Sequence, residues 1–70
     1  MKELIYKKLK EITKHKFNDS SNIYNIGIDS LDLIELVTDA EEELKVTLTD
    51  KELESIKTVG DVIKIFKSKK

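Results

Sequence analysis

Apolar side chains recur every three or four residues along most of this 70-residue chain. That interval is the repeat of an α-helix that buries one face, so the spacing favours helices and offers no convincing strand. The first such stripe predicts a helix over about 2–14 and consists of Met1, Ile5, Leu9 and Ile12. A chain this short buries only about 60% of its unfolded surface, so its helices must share one small core. We therefore expect an all-α fold with a single domain over residues 1–70.

The helical spacing stops between the first and second helices. Residues 15–29 include Asn18-Asp19-Ser20-Ser21-Asn22, a run of turn-forming side chains, and predict a loop of about 15 residues. A loop of that length is often functional. After it, the spacing returns and predicts a second helix that runs from Ser30 or Leu31 to Leu44 or Lys45.

Two capping boxes predict where the last two helices begin. In a capping box, a threonine oxygen and an acid three residues later satisfy each other's backbone N–H groups. Thr49 and Glu52 start a short helix that ends near Ile56, and Thr58 starts the last helix together with Asp61. The expected fold is a small four-helix bundle with three longer helices, one short third helix and a long loop between helices one and two.

Composition excludes several classes of function. The chain has no cysteine, no arginine and one histidine, His15. Without cysteine there is no disulfide, which is natural in the cytoplasm, and zinc lacks its usual ligands. No apolar run approaches the roughly 20 residues of a membrane span, and nucleic-acid binding favours a basic, arginine-bearing surface. No neighbour in sequence activates Ser30 as a catalytic nucleophile. We expect a cytoplasmic monomer that is not an enzyme and has no metal, no membrane span and no nucleic-acid partner.

A net charge of −1 hides a strong asymmetry along the chain. Residues 29–44 hold seven acids and no lysine, whereas residues 1–16 carry +4 and residues 45–70 carry +3. A local excess of negative charge steers a basic partner toward it at low salt. The second helix is therefore the predicted docking surface, although a run of charge can also serve only to solvate an outer helix face.

Ser30 stands in a setting that no other serine of the chain shares. Gly27, three residues earlier, has no Cβ and permits backbone angles that other residues resist. Asp29 and Ser30 are residue types that cap helices. A helix that begins there holds the Ser30 hydroxyl at its positively polarised N-terminus, where a phosphate ester is favoured. The sequence thus predicts an attachment point.

The run Gly27-Ile28-Asp29-Ser30-Leu31 is followed by Asp32, Glu35-Leu36-Val37 and Glu41-Glu42-Glu43-Leu44, and together they resemble the acyl carrier proteins of fatty-acid and polyketide synthesis. The resemblance implies 4′-phosphopantetheine on Ser30, flanked by Asp29 and Leu31, that carries acyl intermediates as thioesters. It also implies two kinds of partner, a phosphopantetheinyl transferase and acyl-transferring or synthase enzymes with basic docking patches. A D-alanyl or aminoacyl carrier of a dedicated pathway, and an unmodified helical interaction domain, remain as alternatives.

The second helix is predicted to separate a core face from a docking face, because residues advance by about 100° each. The face that meets partners mixes carboxylates with apolar residues: Leu31, Ile34, Glu35, Thr38, Glu41 and Glu42. The resemblance further implies that the acyl chain enters between helices two and three. Matching positions are Leu33, Val37, Ala40, Leu44, Leu48, Leu53 and Ile56. Many members of the family have a proline where this chain has Leu48-Thr49-Asp50, so this loop is less rigid here.

Overall fold

The computed structural model describes residues 2–69, and helices dominate it. Its α-helices are α1 (Lys2–Ile12), α2 (Ser30–Leu44), α3 (Asp50–Glu54) and α4 (Val59–Ser68). A 3₁₀ helix, Ile23–Ile26, lies within the long loop between α1 and α2. Between residues 2 and 69 the only extended pairing is an isolated bridge of Asn22 with Thr58. The prediction of an all-α bundle with three longer helices and a short third one is confirmed.

The predicted end of α1, near residue 14, was wrong by two residues. The Thr13 N–H still donates to the Leu9 carbonyl at 2.9 Å, but its hydroxyl donates to the Ile26 carbonyl at 2.5 Å. Thr13 is buried, so this contact draws the chain away from the helical path. A tertiary hydrogen bond, which helical periodicity does not reveal, therefore ends α1 at Ile12. Met1, part of the predicted stripe, lies outside the described residues.

The 3₁₀ helix is an element that the sequence analysis did not predict. The Asn22 side chain caps it by accepting the Tyr24 N–H at 2.9 Å, and Gly27 ends it in the left-handed region at φ 84°. Ile23 and Ile26, three residues apart, are both buried. Since side chains repeat every three residues in a 3₁₀ helix, the loop presents both isoleucines to the core.

The core joins α1, α2, α4 and the long loop around one cluster of buried apolar side chains. Its members are Ile5, Leu9, Ile23, Ile26, Ile28, Leu33, Leu36, Val37, Ala40, Ile56, Val59, Val62 and Phe66. α3 contributes no buried residue, and its Leu53 is only partly buried against the cluster. Apolar burial therefore holds the three longer helices firmly and α3 weakly.

Backbone hydrogen bonds attach the long loop to the start of α4. They run from Ile23 N–H to the Lys57 carbonyl (2.8 Å), from Val59 N–H to the Ser21 carbonyl (3.0 Å) and from Gly60 N–H to the Asp19 carbonyl (2.7 Å). The first N–H groups of a helix have no partner within the helix itself. Loop carbonyls supply the missing acceptors here, so the loop and α4 stabilise each other.

Side-chain contacts add a second attachment, between the loop and α1. The Tyr6 hydroxyl donates to the Asp19 carboxylate at 2.6 Å, and Lys2 lies 3.4 Å from the same carboxylate. The hydrogen bond raises the pKa of Tyr6 and lowers the pKa of Asp19, because it favours the charged carboxylate and the neutral phenol. The two charged groups, Lys2 and Asp19, are exposed, so the ion pair contributes little to stability.

Both predicted capping boxes are present. Thr49 and Glu52 form the one at the start of α3, and Thr58 and Asp61 form the one at the start of α4. The Thr49 N–H holds the pKa of Glu52 below its ordinary value, with a further contribution from Lys69 at 2.9 Å. The Thr58 N–H does the same for the pKa of Asp61. Each carboxylate is thus stabilised in the charged form that the cap requires.

Replacement of Gly60 by alanine tests the attachment between the loop and α4. Alanine usually stabilises a helix by about 1 kcal/mol relative to glycine. A Cβ at Gly60, however, would lie 2.9 Å from the Asp19 carbonyl oxygen, so the loop would have to move. We expect Gly60→Ala to lower the free energy of unfolding by about 1–3 kcal/mol, as overpacking does. Chemical denaturation measures this.

Lys64→Ala is the control, because Lys64 is exposed on the same helix. Its effect should stay within about 0.5 kcal/mol, as for other surface substitutions. A Gly60→Ala chain as stable as the parent would show that the loop does not depend on this close approach.

Candidate functional site

Ser30 is the first residue of α2, and its side chain is exposed. Asp29 caps the helix: its carboxylate accepts the Asp32 N–H at 2.9 Å, and its carbonyl accepts the Leu33 N–H at 3.0 Å. Because Asp29 performs the capping, the Ser30 hydroxyl is not needed for it. The N–H groups of Ser30 and Leu31 precede the first intrahelical hydrogen bond, so the helix start presents positive polarisation beside the hydroxyl.

The Ser30 hydroxyl differs from that of every other serine in the chain. Ser20 and Ser21 bond to Asn18, and the Ser55 and Ser68 hydroxyls donate to backbone carbonyls at 2.7 and 2.8 Å. The Ser30 hydroxyl makes no hydrogen bond with any residue from 2 to 69. It is therefore both exposed and uncommitted.

The residues before Ser30 are fixed from two sides. Thr13 holds the Ile26 carbonyl, and Ile28, two residues before Ser30, is buried with 2% of its surface exposed. Gly27 stands between them at φ 84°, a conformation that strains any residue with a Cβ. The short connection between the 3₁₀ helix and α2 is therefore rigid, and it places Ser30 at the surface.

His15, predicted to be an exposed residue near the end of α1, is exposed just beyond it. Its ring lies against Gly27, where an added Cβ would approach the His15 Cδ2 to 3.3 Å. The His15 side chain makes no hydrogen bond to Ser30. Among residues 2–69, the Ser30 hydroxyl therefore has no hydrogen-bonded base of the kind that activates a nucleophile.

The predicted partner face of α2 is mostly accessible. Leu31 is 71% exposed and Ile34 is 47% exposed, unusual values for large apolar side chains. Predicted members that are also exposed are Glu35, Thr38 and Glu42. Glu41 differs: it is half-buried, and its carboxylate accepts the Leu48 N–H at 2.7 Å. The geometry suits a small apolar contact edged by acids, and its use in docking stays a prediction.

The acids of α2 differ in whether their carboxylates form ion pairs or hydrogen bonds within the protein. Glu43 pairs with Lys8 of α1 at 3.1 Å, and Glu41 holds Leu48. Within residues 2–69, Asp32, Glu35, Asp39 and Glu42 make no ion pair or side-chain hydrogen bond. Among the acids of α2, the charge available to a partner therefore lies mainly on these four, and two of them belong to the predicted face.

The predicted acyl-chain positions belong to the apolar core or pack against it. Leu33, Val37, Ala40 and Ile56 are buried in the core. Leu44, Leu48 and Leu53 are partly buried and pack against it. The buried side chains would form the inner wall of a pocket and the partly buried ones its rim, and their role toward an acyl chain stays a prediction.

Several residues that position the site were missed by sequence reasoning. Thr13 and Asn22 fix the approach to Ser30 through hydrogen bonds to the loop. Asn22 directly precedes Ile23 and Ile26, two isoleucines three residues apart. This pattern is typical of a capped helix start and could have been recognised in the sequence. Thr13 offers no such signal, because its partner Ile26 is distant in sequence. Tyr24, 51% exposed on the 3₁₀ helix, was also overlooked.

Neither a membrane-spanning helix nor a metal-binding cluster is found in the described part of the chain. None of its helices has both the length and the apolar character needed to cross a membrane. Among residues 2–69, histidine, aspartate and glutamate side chains do not gather into a group of three or more that could hold a metal ion.

Comparison with known proteins shows the family of this chain. The family described as "Phosphopantetheine attachment site" matches residues 2–66. An acyl carrier protein homolog of Mycoplasmopsis pulmonis is 42% identical over 69 residues, which cover 99% of this chain and 94% of the relative. An acyl carrier protein of Buchnera aphidicola is 39% identical over 69 residues, with 99% and 86% covered.

The fold has a counterpart among solved structures. A chain from Mycobacterium tuberculosis, itself assigned as an acyl carrier protein, superposes with a TM-score of 0.81 and is 30% identical. The match covers 90% of this chain and 89% of the other. The similarity therefore extends over almost all of the bundle.

Proposed function

The chain belongs to the phosphopantetheine-binding acyl carrier proteins, and we propose that Ser30 is the residue to which its prosthetic group is attached. The acyl carrier role follows from the family. The relatives named above are acyl carrier proteins, so a D-alanyl or aminoacyl carrier and an unmodified interaction domain are not favoured. The proposed carrier unit is the whole of residues 1–70.

One observation carries the assignment of Ser30: its hydroxyl is exposed and has no hydrogen bond within residues 2–69, whereas the other four serines are engaged. The surroundings also fit the group. A phosphodiester on Ser30 would lie at the positive end of α2. When attached, 4′-phosphopantetheine supplies the thiol that the chain lacks, since no cysteine is present.

The chain's own residues then have distinct tasks. Asp29 caps the start of α2, so Ser30 stays at a fixed place on the surface. Leu31 and Ile34 offer the apolar contact of a docking site, and Glu35 and Glu42 offer its charge. We propose as partners a phosphopantetheinyl transferase and acyl-transferring or synthase enzymes with basic patches.

Ser30→Ala tests the attachment site. We expect the variant to stay folded, because the Ser30 hydroxyl makes no hydrogen bond within residues 2–69 that it would lose. Incubation with coenzyme A and a phosphopantetheinyl transferase should add the mass of the group to the parent chain and nothing to the variant. Intact-protein mass spectrometry measures both.

Ser55→Ala is the matched control and should be modified like the parent chain, because the Ser55 hydroxyl donates to the Glu52 carbonyl within the fold. Addition of the group to a folded Ser30→Ala chain would place the site elsewhere and refute the assignment.

Charge reversal tests the docking face. The double variant Glu35→Lys and Glu42→Lys should slow modification by the transferase, because it turns two uncommitted acids of the face into cations. The parent rate should fall as salt rises, since exposed charges are screened beyond about 10 Å at 0.1 M. Glu41 is left intact because its carboxylate also holds Leu48.

Asp39→Lys is the control for this prediction. Asp39 is exposed on α2, lies outside the predicted face and makes no ion pair within the described chain. A rate that responds equally to the control and to the double variant would reveal only a general effect of charge. If the rate of modification changed neither in these variants nor with salt, the acids would serve only to solvate the helix.

A further inference from the structure

A cavity with basic walls lies where α1 meets the long loop. Its volume is about 450 Å³, and among residues 2–69 its lining includes three lysines and no carboxylate. Tyr6 and Phe17 supply two rings whose centroids are 4.9 Å apart. The residues that give the cavity its character are Tyr6, Lys10, Lys14, His15, Lys16 and Phe17. The cavity therefore combines positive charge with a half-buried aromatic wall.

The positive charge continues outward along α1. Tyr6 and Lys10 also line a groove of about 680 Å³ on this helix, which adds Lys7. The acids Glu3 and Glu11 lie in the same groove, so positive charge is densest at the cavity. We call the four lysines of these two surfaces, together with the rings of Tyr6 and Phe17, the basic face; the lysines are Lys7, Lys10, Lys14 and Lys16.

The four lysines of the basic face are not used within the fold. All are exposed, and none forms an ion pair or a side-chain hydrogen bond with residues 2–69. Lys2 and Lys8 of the same helix differ, because they pair with Asp19 and Glu43. Like charges that lie close together repel one another and destabilise a compact fold. A cluster of lysines that the fold does not use is thus available to an anionic partner.

The chemistry of the basic face favours a layer of lipid headgroups over other anions. Clusters of about four to eight basic residues on an amphipathic helix are typical of segments that bind anionic phospholipids. Residues 1–16 hold six lysines. Lysine binds as a mobile point charge, which suits a fluid array of phosphates, whereas nucleic-acid recognition favours arginine, which this chain lacks. Aromatic rings beside the lysines suit the boundary between lipid headgroups and acyl chains.

We propose that the basic face binds the surface of a membrane that contains anionic phospholipids. Lipid phosphates meet the three lysines of the cavity, Lys7 extends the contact along α1, and the two rings lie against the headgroups. The same lipids repel the uncommitted acids of α2, so the predicted docking face stays turned toward the water. Binding does not depend on a prosthetic group at Ser30, so its failure would leave the proposed function standing.

Binding of the unmodified chain to lipid vesicles tests the proposal. At low salt the chain should sediment with vesicles of phosphatidylcholine and phosphatidylglycerol in equal amounts, and it should stay in solution with phosphatidylcholine alone. Binding should weaken as salt rises, because exposed charges are screened beyond about 10 Å at 0.1 M. Absence of binding to the anionic vesicles at low salt, or equal binding to both kinds of vesicle, overturns the proposal.

Two double variants with the same change in net charge locate the contact. Lys10→Ala with Lys14→Ala should lower the partition coefficient about 20-fold, because each lysine near an anionic surface contributes about fivefold. Lys51→Ala with Lys64→Ala removes two exposed lysines outside the cavity and the groove and should have a much smaller effect. Lys10→Arg with Lys14→Arg keeps the charge and should bind like the parent chain. Equal losses in the two alanine pairs would show only a general effect of charge and overturn the site.

A soluble phosphate separates a lipid surface from a single anion. Glycerol phosphate, at the concentration of the lipid phosphate, should not displace the chain from the anionic vesicles, because one soluble phosphate offers no array of charge. Full displacement would show that the cavity binds free phosphate and would overturn the membrane as its partner.

A second copy of the chain is another anionic partner, through the exposed acids of α2. Sedimentation equilibrium at low salt should nevertheless show a monomer. Self-association that Lys10→Ala with Lys14→Ala abolishes would assign the basic face to a second copy and overturn the proposal.

Spin-labelled lipid tests the orientation of the bound chain. When the label is placed at the headgroups of the anionic vesicles, it should broaden the amide signals of residues 7–17 more than those of residues 35–42, because the basic face lies against the lipid and the acids of α2 point away from it. Broadening that is equal in the two segments, or strongest in α2, overturns the proposal.

Discussion

The attachment of the long loop to the start of α4 is the constraint on which the rest of the structure depends. Loop carbonyls accept the first N–H groups of α4, and a Cβ at Gly60 would prevent the close approach that this requires. The anchored loop can then bury Ile23 and Ile26 and complete the core. Because the 3₁₀ helix is fixed in this way, Ser30 emerges at a defined place on the surface.

Stability is distributed unevenly around that site. The start of α2 is held by the Asp29 cap and by buried Ile28 and Leu33. α3 has no buried residue and is tethered through Leu48. The firmly held start of α2, which carries Ser30, thus lies beside the weakly held helix α3. A small core can admit cargo only if one of its walls is weakly held, since close-packed interiors resist deformation.

Local signals explain what the sequence could predict. The capping boxes at Thr49 and Thr58 and the apolar stripes located the helices, because caps and periodicity act between near neighbours. The setting of Ser30 was predictable for the same reason. The end of α1 was not, because the buried bond from Thr13 to Ile26 crosses the loop. The contact of Glu41 with Leu48 was also hidden, since helical periodicity does not extend past the end of α2.

The most direct test of the account is the place of the acyl chain in the loaded protein. Isotope-filtered nuclear Overhauser measurements on a chain that carries ¹³C-octanoyl-phosphopantetheine would report which methyl groups the cargo meets. The account predicts contacts from the octanoyl group to Val37, Ala40 and Ile56, with the phosphodiester on Ser30. Contacts confined to exposed Leu31 and Ile34, or none to the core, would contradict it.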